Sequence, residues 1–283
     1  MAHQKKQKQA VRRWAKELRG HARKKPSVVI AYLVLRIIVI AVAVRTAING
    51  DFESTFICLL VLVLFLIPAF FQERFSVELP STLEIIILLL IFAAEIMGEL
   101  SNYYIRVTYW DTLLHTTWGF LLAAVGFSLV DVLNRSESIR VQLSPLYLAI
   151  GAFCFSMTIG VLWEFLEFCA DYFLHLDMQK DTVIHAFSSV TLDPTMQNVA
   201  VRVENITDVA VNGESLGLGG YLDIGLYDTM EDLFVNFIGA LIFSIIGYFA
   251  EKSHGRNWLA ASFIPRFHRH AEQSAADGED EIS

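Results

Sequence analysis

The sequence predicts an all-α membrane protein: a polytopic transmembrane helical bundle of six spans, with a small extracytoplasmic β-hairpin and loop insertion between spans five and six. Hydrophobic residues make up 54% of the 283 residues, more than the roughly 45–50% typical of soluble domains, and they are concentrated in blocks. Each block approaches the ~20 residues that a helix needs to cross a bilayer. Because lipid leaves only helices and closed barrels as spanning structures, continuous runs of this length indicate helices.

The apolar stretches define the organisation of the chain. The six predicted spans are Val28–Ile48, Thr55–Phe71, Thr82–Gly98, Asp111–Leu133, Pro145–Phe173 and Asp232–Ala250. They divide the chain into a basic cytoplasmic amphipathic segment (1–26), a six-span membrane domain (27–252) with its outer loop at 175–227, and a cytoplasmic interfacial segment with a disordered acidic tail (253–283).

The basic residues predict the orientation in the membrane. With the N-terminus in the cytoplasm, seventeen Lys and Arg residues fall on the cytoplasmic side and three on the outside. Cytoplasmic loops of membrane proteins carry such an excess. We therefore expect both termini in the cytoplasm.

The first 25 residues hold ten Lys or Arg and a single acid. Val11, Trp14, Leu18 and Ala22 recur among them at helical spacing, which favours a helix that lies on anionic lipid. A nucleic-acid-binding arm is the rival interpretation, and a topology signal without binding is the third. We expect the bilayer and its anionic lipids as partners and no nucleic acid; protein partners are left open.

The fifth span carries the acids around which the site is predicted. Nineteen uncharged residues, 145–163, precede Glu164, Glu167 and Asp171. At about 100° per residue these three acids share one helix face. Acids in a helix that is otherwise suited to hydrocarbon need partners.

Three other spans bring polar residues to the same depth. Counted from the cytoplasmic side at ~1.5 Å per residue, Glu95 lies ~20 Å and Glu164 ~28 Å into the membrane. The remaining residues lie at the outer ends of spans three, four and six: Glu99, Asp111, His115, Asp228, Asp232 and Asn236. We therefore predict one polar pocket near the outer leaflet.

Carboxylates with an imidazole suit a divalent metal such as Zn²⁺, Mn²⁺, Fe²⁺ or Mg²⁺, which could activate water. The predicted metal ligands are Glu95, Asp111, His115, Glu164, Asp228 and Asp232. Glu164 and His115 are the predicted catalytic residues. The remaining pocket residues are Glu99, Glu167, Asp171, Asn236 and Arg36.

Structural roles are the alternatives for several of these residues. Asp111 and Asp228 occupy positions where a helix N-cap belongs, and Glu231 would complete a capping box with Asp228. His115 could be a hydrogen-bonded core histidine. Arg36, near the middle of the first span, should pair with Glu84 or Glu95 on the third span.

Two further patterns concern packing and the outer loop. Gly119 and Ala123 form a small face suited to close helix contact. Alternating valines between 199 and 211, followed by Asn212-Gly213, predict a short β-hairpin.

The chain lacks H-E-x-x-H and Walker motifs. Its one G-x-S-x-G string, Gly213–Gly217, lies in the glycine-rich part of the outer loop without the strand–turn–helix context of a nucleophile elbow, so no familiar hydrolase or nucleotide site is indicated. Three functions stay open: a metal-dependent enzyme acting on lipid or envelope substrates, a cation- or proton-coupled transporter, and a non-catalytic accessory or scaffold protein.

Four blocks together resemble the YjdF-like bacterial integral membrane proteins. They are Ala94–Gly98, Trp110–His115, Trp163–Phe168 and Asp223–Ala240. The similarity runs from about the third span to the sixth and excludes both terminal segments. It implies a bacterial inner membrane location and no particular activity.

Overall fold

The computed structural model describes residues 25–75, 77–134, 143–253, 263 and 266–267. Within these ranges, five helices are long and apolar enough to cross a membrane: Pro26–Ile48, Phe52–Arg74, Trp110–Asp131, Pro145–Leu174 and Leu226–Lys252. The multi-pass helical architecture predicted from the sequence is therefore confirmed for five spans.

The first two spans differ in regularity. Helix α1 (Pro26–Ile48) is continuous, with its proline at the first turn, where no N–H is needed. The second span is divided into α2 (Phe52–Leu64) and α3 (Ile67–Phe75). The break precedes Pro68. In a continuous helix the ring of this proline would clash with the carbonyl of Leu64, four residues earlier.

The third predicted span takes a mixed form. Helix α4 (Ser81–Phe92) covers 12 residues and continues as a π-helix over Ala93–Leu100. Short π-helical turns occur frequently at functional sites. A short helix, α5 (Tyr103–Arg106), leads to α6 (Trp110–Asn134). The sixth span thus stays a prediction, since neither part of this segment is long enough alone.

Two packed groups of helices form the membrane region. Helices α1, α2 and α4 share an apolar core that includes Val39, Val61 and Leu88. Helix α6 forms the second group with α7 (Pro145–Leu174) and α8 (Leu226–Lys252), around Phe127 and Phe243.

The closest contact in the second group is between α6 and α8. A Cβ at Gly119 would collide with Asn236, and one at Gly239 would collide with the Thr116 carbonyl. Ala123 is fully buried in the same interface. The predicted small face at Gly119 and Ala123 is confirmed.

The segment between α7 and α8, here called the outer segment after its predicted position, contains three antiparallel strand pairs. They are β2 (Thr182–Ile184) with β7 (Tyr221–Asp223), β3 (Phe187–Ser189) with β4 (Val201–Val203), and β5 (Ala210–Val211) with β6 (Glu214–Ser215). A 3₁₀ turn at Val190–Leu192 follows β3.

The predicted hairpin is confirmed only around its turn. Asn212 and Gly213 both have positive φ, 55° and 87°, as a two-residue hairpin loop requires. The other half of the prediction is wrong, because Val201–Val203 pairs with Phe187–Ser189. The alternation of residues within a strand predicts the strand itself and does not show which distant strand it pairs with.

Both ends of the described chain lie near the start of α4. The Lys25 ammonium is 3.3 Å from a Glu84 carboxylate oxygen, and β1 (Val77–Glu78) pairs with β8 (Arg266–Phe267). The ring of Phe263 packs against Phe120 of α6 at 5.2 Å between centroids. The predicted lipid-binding segment up to residue 24 and the acidic tail from 268 lie outside the described residues.

Candidate functional site

Three antiparallel helices bring polar side chains to one end of the second helix group. Asp111 and His115 lie one turn apart at the start of α6, Glu164 and Glu167 in the last third of α7, and Asp232 in the second turn of α8. Because α6 and α8 begin where α7 ends, these segments meet at the same depth.

Asp111, His115 and Asp232, here called the histidine group, come from α6 and α8. The His115 Nε2 atom lies 3.5 Å from Asp111 Oδ1 and 3.6 Å from Asp232 Oδ2. Hydrogen bonds between nitrogen and oxygen are shorter, about 2.7–3.2 Å. The imidazole nitrogen therefore faces two carboxylates without a well-formed hydrogen bond to either.

The same separations suit two ligands of one ion. Two atoms bonded to one ion at about 2.1 Å can be up to about 4.2 Å apart, and both separations, 3.5 and 3.6 Å, lie within this limit. The donor set of one imidazole and two carboxylates is one that Zn²⁺, Mn²⁺ and Fe²⁺ accept.

Glu164, Glu167 and Asp232, here called the glutamate group, share Asp232 with the first. One ligand atom from each lies within 4.8 Å of the other two. All three side chains are buried, with residue exposures of 4%, 7% and 3%. The Oε2 atoms of both glutamates are buried without a hydrogen-bond partner within the described part of the chain. Such orphaned oxygens are rare in folded proteins and require an explanation.

Hydrogen bonds to the glutamates fix how they are oriented. The Trp163 indole N–H donates to Glu167 Oε1 at 2.8 Å. Thr229 on α8 is a hydrogen-bond partner of the Glu164 carboxylate, and its hydroxyl accepts a bond from the Gln179 amide. Outer groups of this kind position the ligands of metal sites.

Asp171 and Asp228 hold the outer segment over the site. The Asp171 carboxylate accepts the backbone N–H groups of Met178 and Gln179 at 2.6 and 2.8 Å. Asp228 accepts that of Lys180 at 2.8 Å. Neither belongs to either ligand group, so the structure gives both a structural use.

The capping alternative is wrong for both aspartates. Helix α8 begins at Leu226 with Gly225 as its N-cap, and it is Asp223 that accepts the Tyr227 N–H at 2.9 Å. Helix α6 begins at Trp110, so Asp111 lies inside the first turn. The helices start earlier than the sequence pattern indicated.

Glu95 and Glu99 lie on the π-helix, beside the site and outside both ligand groups. The ring of Tyr104 packs against Gly98 of the same π-helix. Burial raises the pKa of the Tyr104 phenol, and the nearby carboxylates of Asp111, Glu99, Glu95 and Glu167 raise it further. Tyr104 therefore stays neutral and keeps its O–H as a hydrogen-bond donor.

Asn236 and Arg36 lie away from the ligand atoms. Asn236 is held between Gly119 and Gly160, one turn deeper than Asp232. Arg36 lies in the other helix group, donates to the Leu62 carbonyl at 3.4 Å and stacks on the Tyr32 ring. The predicted ion pair of Arg36 with Glu84 or Glu95 is not formed among the described residues. Glu84 pairs with Lys25 instead, and no described Lys or Arg lies within ion-pair distance of Glu95.

Five residues near the two ligand groups were not predicted from the sequence: Tyr104, Trp163, Gln179, Lys180 and Thr229. Lys180 is close enough to interact electrostatically with Asp111 and Asp228. Thr229 sits one position after Asp228, in a helix that the sequence already marked. Gln179 and Lys180 carried no signal, because only the fold of the outer segment brings them over the bundle.

A family model described as "Predicted membrane protein (DUF2238)" matches residues 31–253. The match covers more than half of the chain, so the chain belongs to this family, and the resemblance to YjdF-like proteins is confirmed.

The chain is also 24% identical over 107 residues to a protein of Thermotoga maritima described as "Uncharacterized protein". That match covers 38% of this chain and 53% of the relative, so the chain spans about half the length of the curated protein it matches. No solved structure matches the chain.

Proposed function

We propose that this member of the DUF2238 family binds a divalent cation at the outer end of the α6–α8 bundle and uses it in an enzymatic reaction on a lipid or other envelope substrate. One observation carries the proposal. The Nε2 atom of His115 faces carboxylate oxygens from two helices at 3.5 and 3.6 Å, which is long for hydrogen bonds and suitable for co-ligands of one ion.

A bound cation supplies the chemistry that the side chains lack. Held by Asp111, His115 and Asp232, such a cation would lower the pKa of a bound water and would polarise an oxygen of the substrate. In this arrangement His115 holds the cation, and Glu164 offers a carboxylate oxygen beside it that has no other partner among the described residues. These are the two residues that we place at the reaction centre.

The proposal includes six spans, with the site at the outer surface of a bacterial inner membrane. Lys25 and Arg266–Phe267 both lie beside the start of α4, which supports an even number of crossings. The α4 and π-helical segments together comprise 20 residues, 12 and 8, enough for a span. The Lys/Arg asymmetry supports cytoplasmic termini, with the basic segment 1–26 bound to anionic lipid.

An apolar groove supports a lipid substrate. Helices α7 and α8 bound a groove of about 480 Å³, lined by residues such as Phe153, Phe237 and Ile245. Phe237 follows Asp232 by five residues, about 7.5 Å along the helix. The groove extends from Phe237 to Leu146 and Phe249 at the opposite end of the bundle, so it supports contact with an acyl chain along α7 and α8.

Transport is less well supported than binding. Below Asn236, the bundle interior is filled by Ala123, Ala124, Phe127 and Phe243, each no more than 2% exposed. The hydroxyl of Ser156 in this region bonds to a backbone carbonyl, at 2.8 Å. A cation that entered from outside would meet a closed apolar core.

Elemental analysis and thermal unfolding of the full chain in detergent test the cation. We expect at least one divalent cation per chain, lost in H115Q and D111N and retained in the matched control E231Q, since Glu231 is exposed beside Asp232. Free cation at 100 times its Kd should stabilise the wild type by about 2.7 kcal/mol relative to the protein in EDTA. A wild type without bound cation, or an H115Q variant with full occupancy, contradicts the proposal.

Reconstitution into bacterial polar lipids tests the enzymatic half. We expect cation-dependent conversion of a lipid, detected by mass spectrometry, in the wild type and E231Q and not in H115Q. Bound cation without lipid conversion overturns this half. If H115Q and E164Q lower only the yield of folded protein, while the folded fraction binds cations as the wild type does, the acids serve an accessory or scaffold role.

A further inference from the structure

We infer that the site holds a second divalent cation, bound by Glu164, Glu167 and Asp232, with Asp232 as the bridge to the first cation on Asp111 and His115. The inference rests on the proposed function, because it adds a neighbour to the cation proposed there. It concerns the number of ions and the ligands of the second.

The glutamate group has the spacing that one ion requires. Its ligand atoms lie within 4.8 Å of one another. Two oxygens that bind one ion lie at most about 5.2 Å apart for Ca²⁺ and about 4.2 Å apart for Mg²⁺, so the 4.8 Å bound admits Ca²⁺ directly, and a smaller ion is held after the side chains close by about half an ångström. Since the donors are all carboxylate oxygens, the second position favours hard cations such as Mn²⁺ or Mg²⁺.

The orphaned oxygens are an independent observation. Glu167 is held on one side by the Trp163 indole, and Glu164 has Thr229 of α8 as a neighbour. The Oε2 atoms of both are buried and have no partner in the described ranges. Side chains fixed in this way, with one oxygen open, are arranged as ligands are in metal sites.

Charge balance also favours two ions. Asp111, Asp232, Glu164 and Glu167 lie close together at one end of the bundle, with Asp228 nearby. Among the described residues, the nearby base Lys180 acts electrostatically on Asp111 and Asp228, and its single charge balances no more than one of these five carboxylates. One divalent ion would leave two of the four carboxylates uncompensated, and burying unpaired charge is costly. Two divalent ions carry four positive charges, which balance the four carboxylates.

The position of Asp232 in the fold allows its carboxylate to bind both ions. Asp232 belongs to both ligand groups, and its carboxylate lies between α6 and α7, which supply the remaining ligands. A carboxylate has two oxygens and can bind two ions at once. The histidine on one side and the glutamates on the other make the two positions chemically different.

Titration of the metal-free full chain in detergent with Mn²⁺ tests the inference. We expect two ions per chain in the wild type and in E231Q, and one in E164Q and in E167Q. Electron paramagnetic resonance should show an exchange-coupled Mn²⁺ pair in the wild type and an isolated ion in both Gln variants. Gel-filtration elution volumes and unfolding temperatures that match those of the wild type establish that E164Q and E167Q fold. If one of the two variants does not fold, the other still tests the inference.

The outcomes separate this inference from the proposed function. One ion in the wild type, unchanged in E164Q and E167Q, overturns the second position and leaves the first. One ion in the wild type, lost in E164Q, shows a single shared site and also overturns the second position. No ion in any variant overturns the proposed function together with this inference.

Discussion

Two buried sets of carboxylates in this molecule differ in how their oxygens are satisfied. Asp193, in the outer segment, is 8% exposed. Its Oδ1 accepts the N–H and O–H of Thr195, and its Oδ2 accepts the N–H groups of Gln197 and Val199. The glutamates of the bundle are equally buried, yet each leaves one oxygen without a partner in the described structure.

The difference shows that burial alone does not identify a ligand. At Asp193 a turn of the chain wraps its own donors around the carboxylate, as aspartates in loops commonly do. The donors that could serve Glu164 and Glu167 are consumed within helices, because helical N–H groups bond to carbonyls four residues earlier. An acid in mid-helix therefore depends on side-chain donors, such as the Trp163 indole one turn earlier in the same helix, or on an ion.

The largest expected effect comes from D232N, because Asp232 belongs to both ligand groups. We expect Mn²⁺ affinity to fall at both positions by more than about 100-fold, the upper range for changes to groups that only support the ligands. Isothermal titration calorimetry of D232N beside E231Q measures it. A D232N variant with wild-type affinity would mean that the glutamates resemble Asp193 in needing no ion.

A smaller effect is expected from W163F, which removes the indole N–H that orients Glu167. Affinity for the second ion should fall about 10-fold while the first ion binds as before, since supporting groups contribute roughly this much. Calorimetric titration resolves the two events. W118F, which alters a partly buried tryptophan in an apolar cluster of α6, is the control, and an equal loss in both variants would remove the specific role of Trp163.

The smallest expected effect lies in the outer segment and appears only in acid. The Thr195 hydroxyl, with the backbone N–H groups of Val199, Thr195 and Gln197, lowers the pKa of Asp193 from its ordinary 3.8 to about 2. Because the folded pKa is depressed, the contribution of Asp193 to stability is fully present above pH ~3.8 and is lost as the pH falls through about 2.

Carbon-13 NMR of labelled aspartate measures this titration, with D193N identifying the signal. A midpoint near 4 would show that the carboxylate lacks the donors described here, and the comparison with the glutamates would then fail. D193N should leave Mn²⁺ binding unchanged, since the turn contributes no ligand.

Much of this architecture could be predicted from local pattern. Long apolar runs require helices in lipid, so five spans were found within a few residues of their ends. The meeting of Asp111, His115, Glu164 and Asp232 followed from alternating span directions, which place the start of one helix beside the end of the next. The turn at Asn212-Gly213 could be predicted because both residues adopt a positive φ readily, which is a local backbone preference.

Other features were set by contacts that no local pattern records. Asp228 and Glu95 are predicted metal ligands that lie outside both ligand groups: Asp228 accepts the Lys180 backbone N–H and Glu95 lies on the π-helix. Their role as ligands stays a prediction. Arg36 was expected to meet an acid, but its helix group offers it a carbonyl and an aromatic ring.

The sequence by itself determined which segments are long and apolar enough to cross a membrane and where along each helix its acids lie, because hydrophobicity and helical rise are properties of each segment alone. Only the tertiary structure decided that Asp232 stands between two ligand groups, that Glu167 joins Glu164, and that Gln179 and Thr229 lie beside them. Those relations depend on the rotation of each helix about its axis, which the close contacts of Gly119, Gly160 and Gly239 fix through packing between helices.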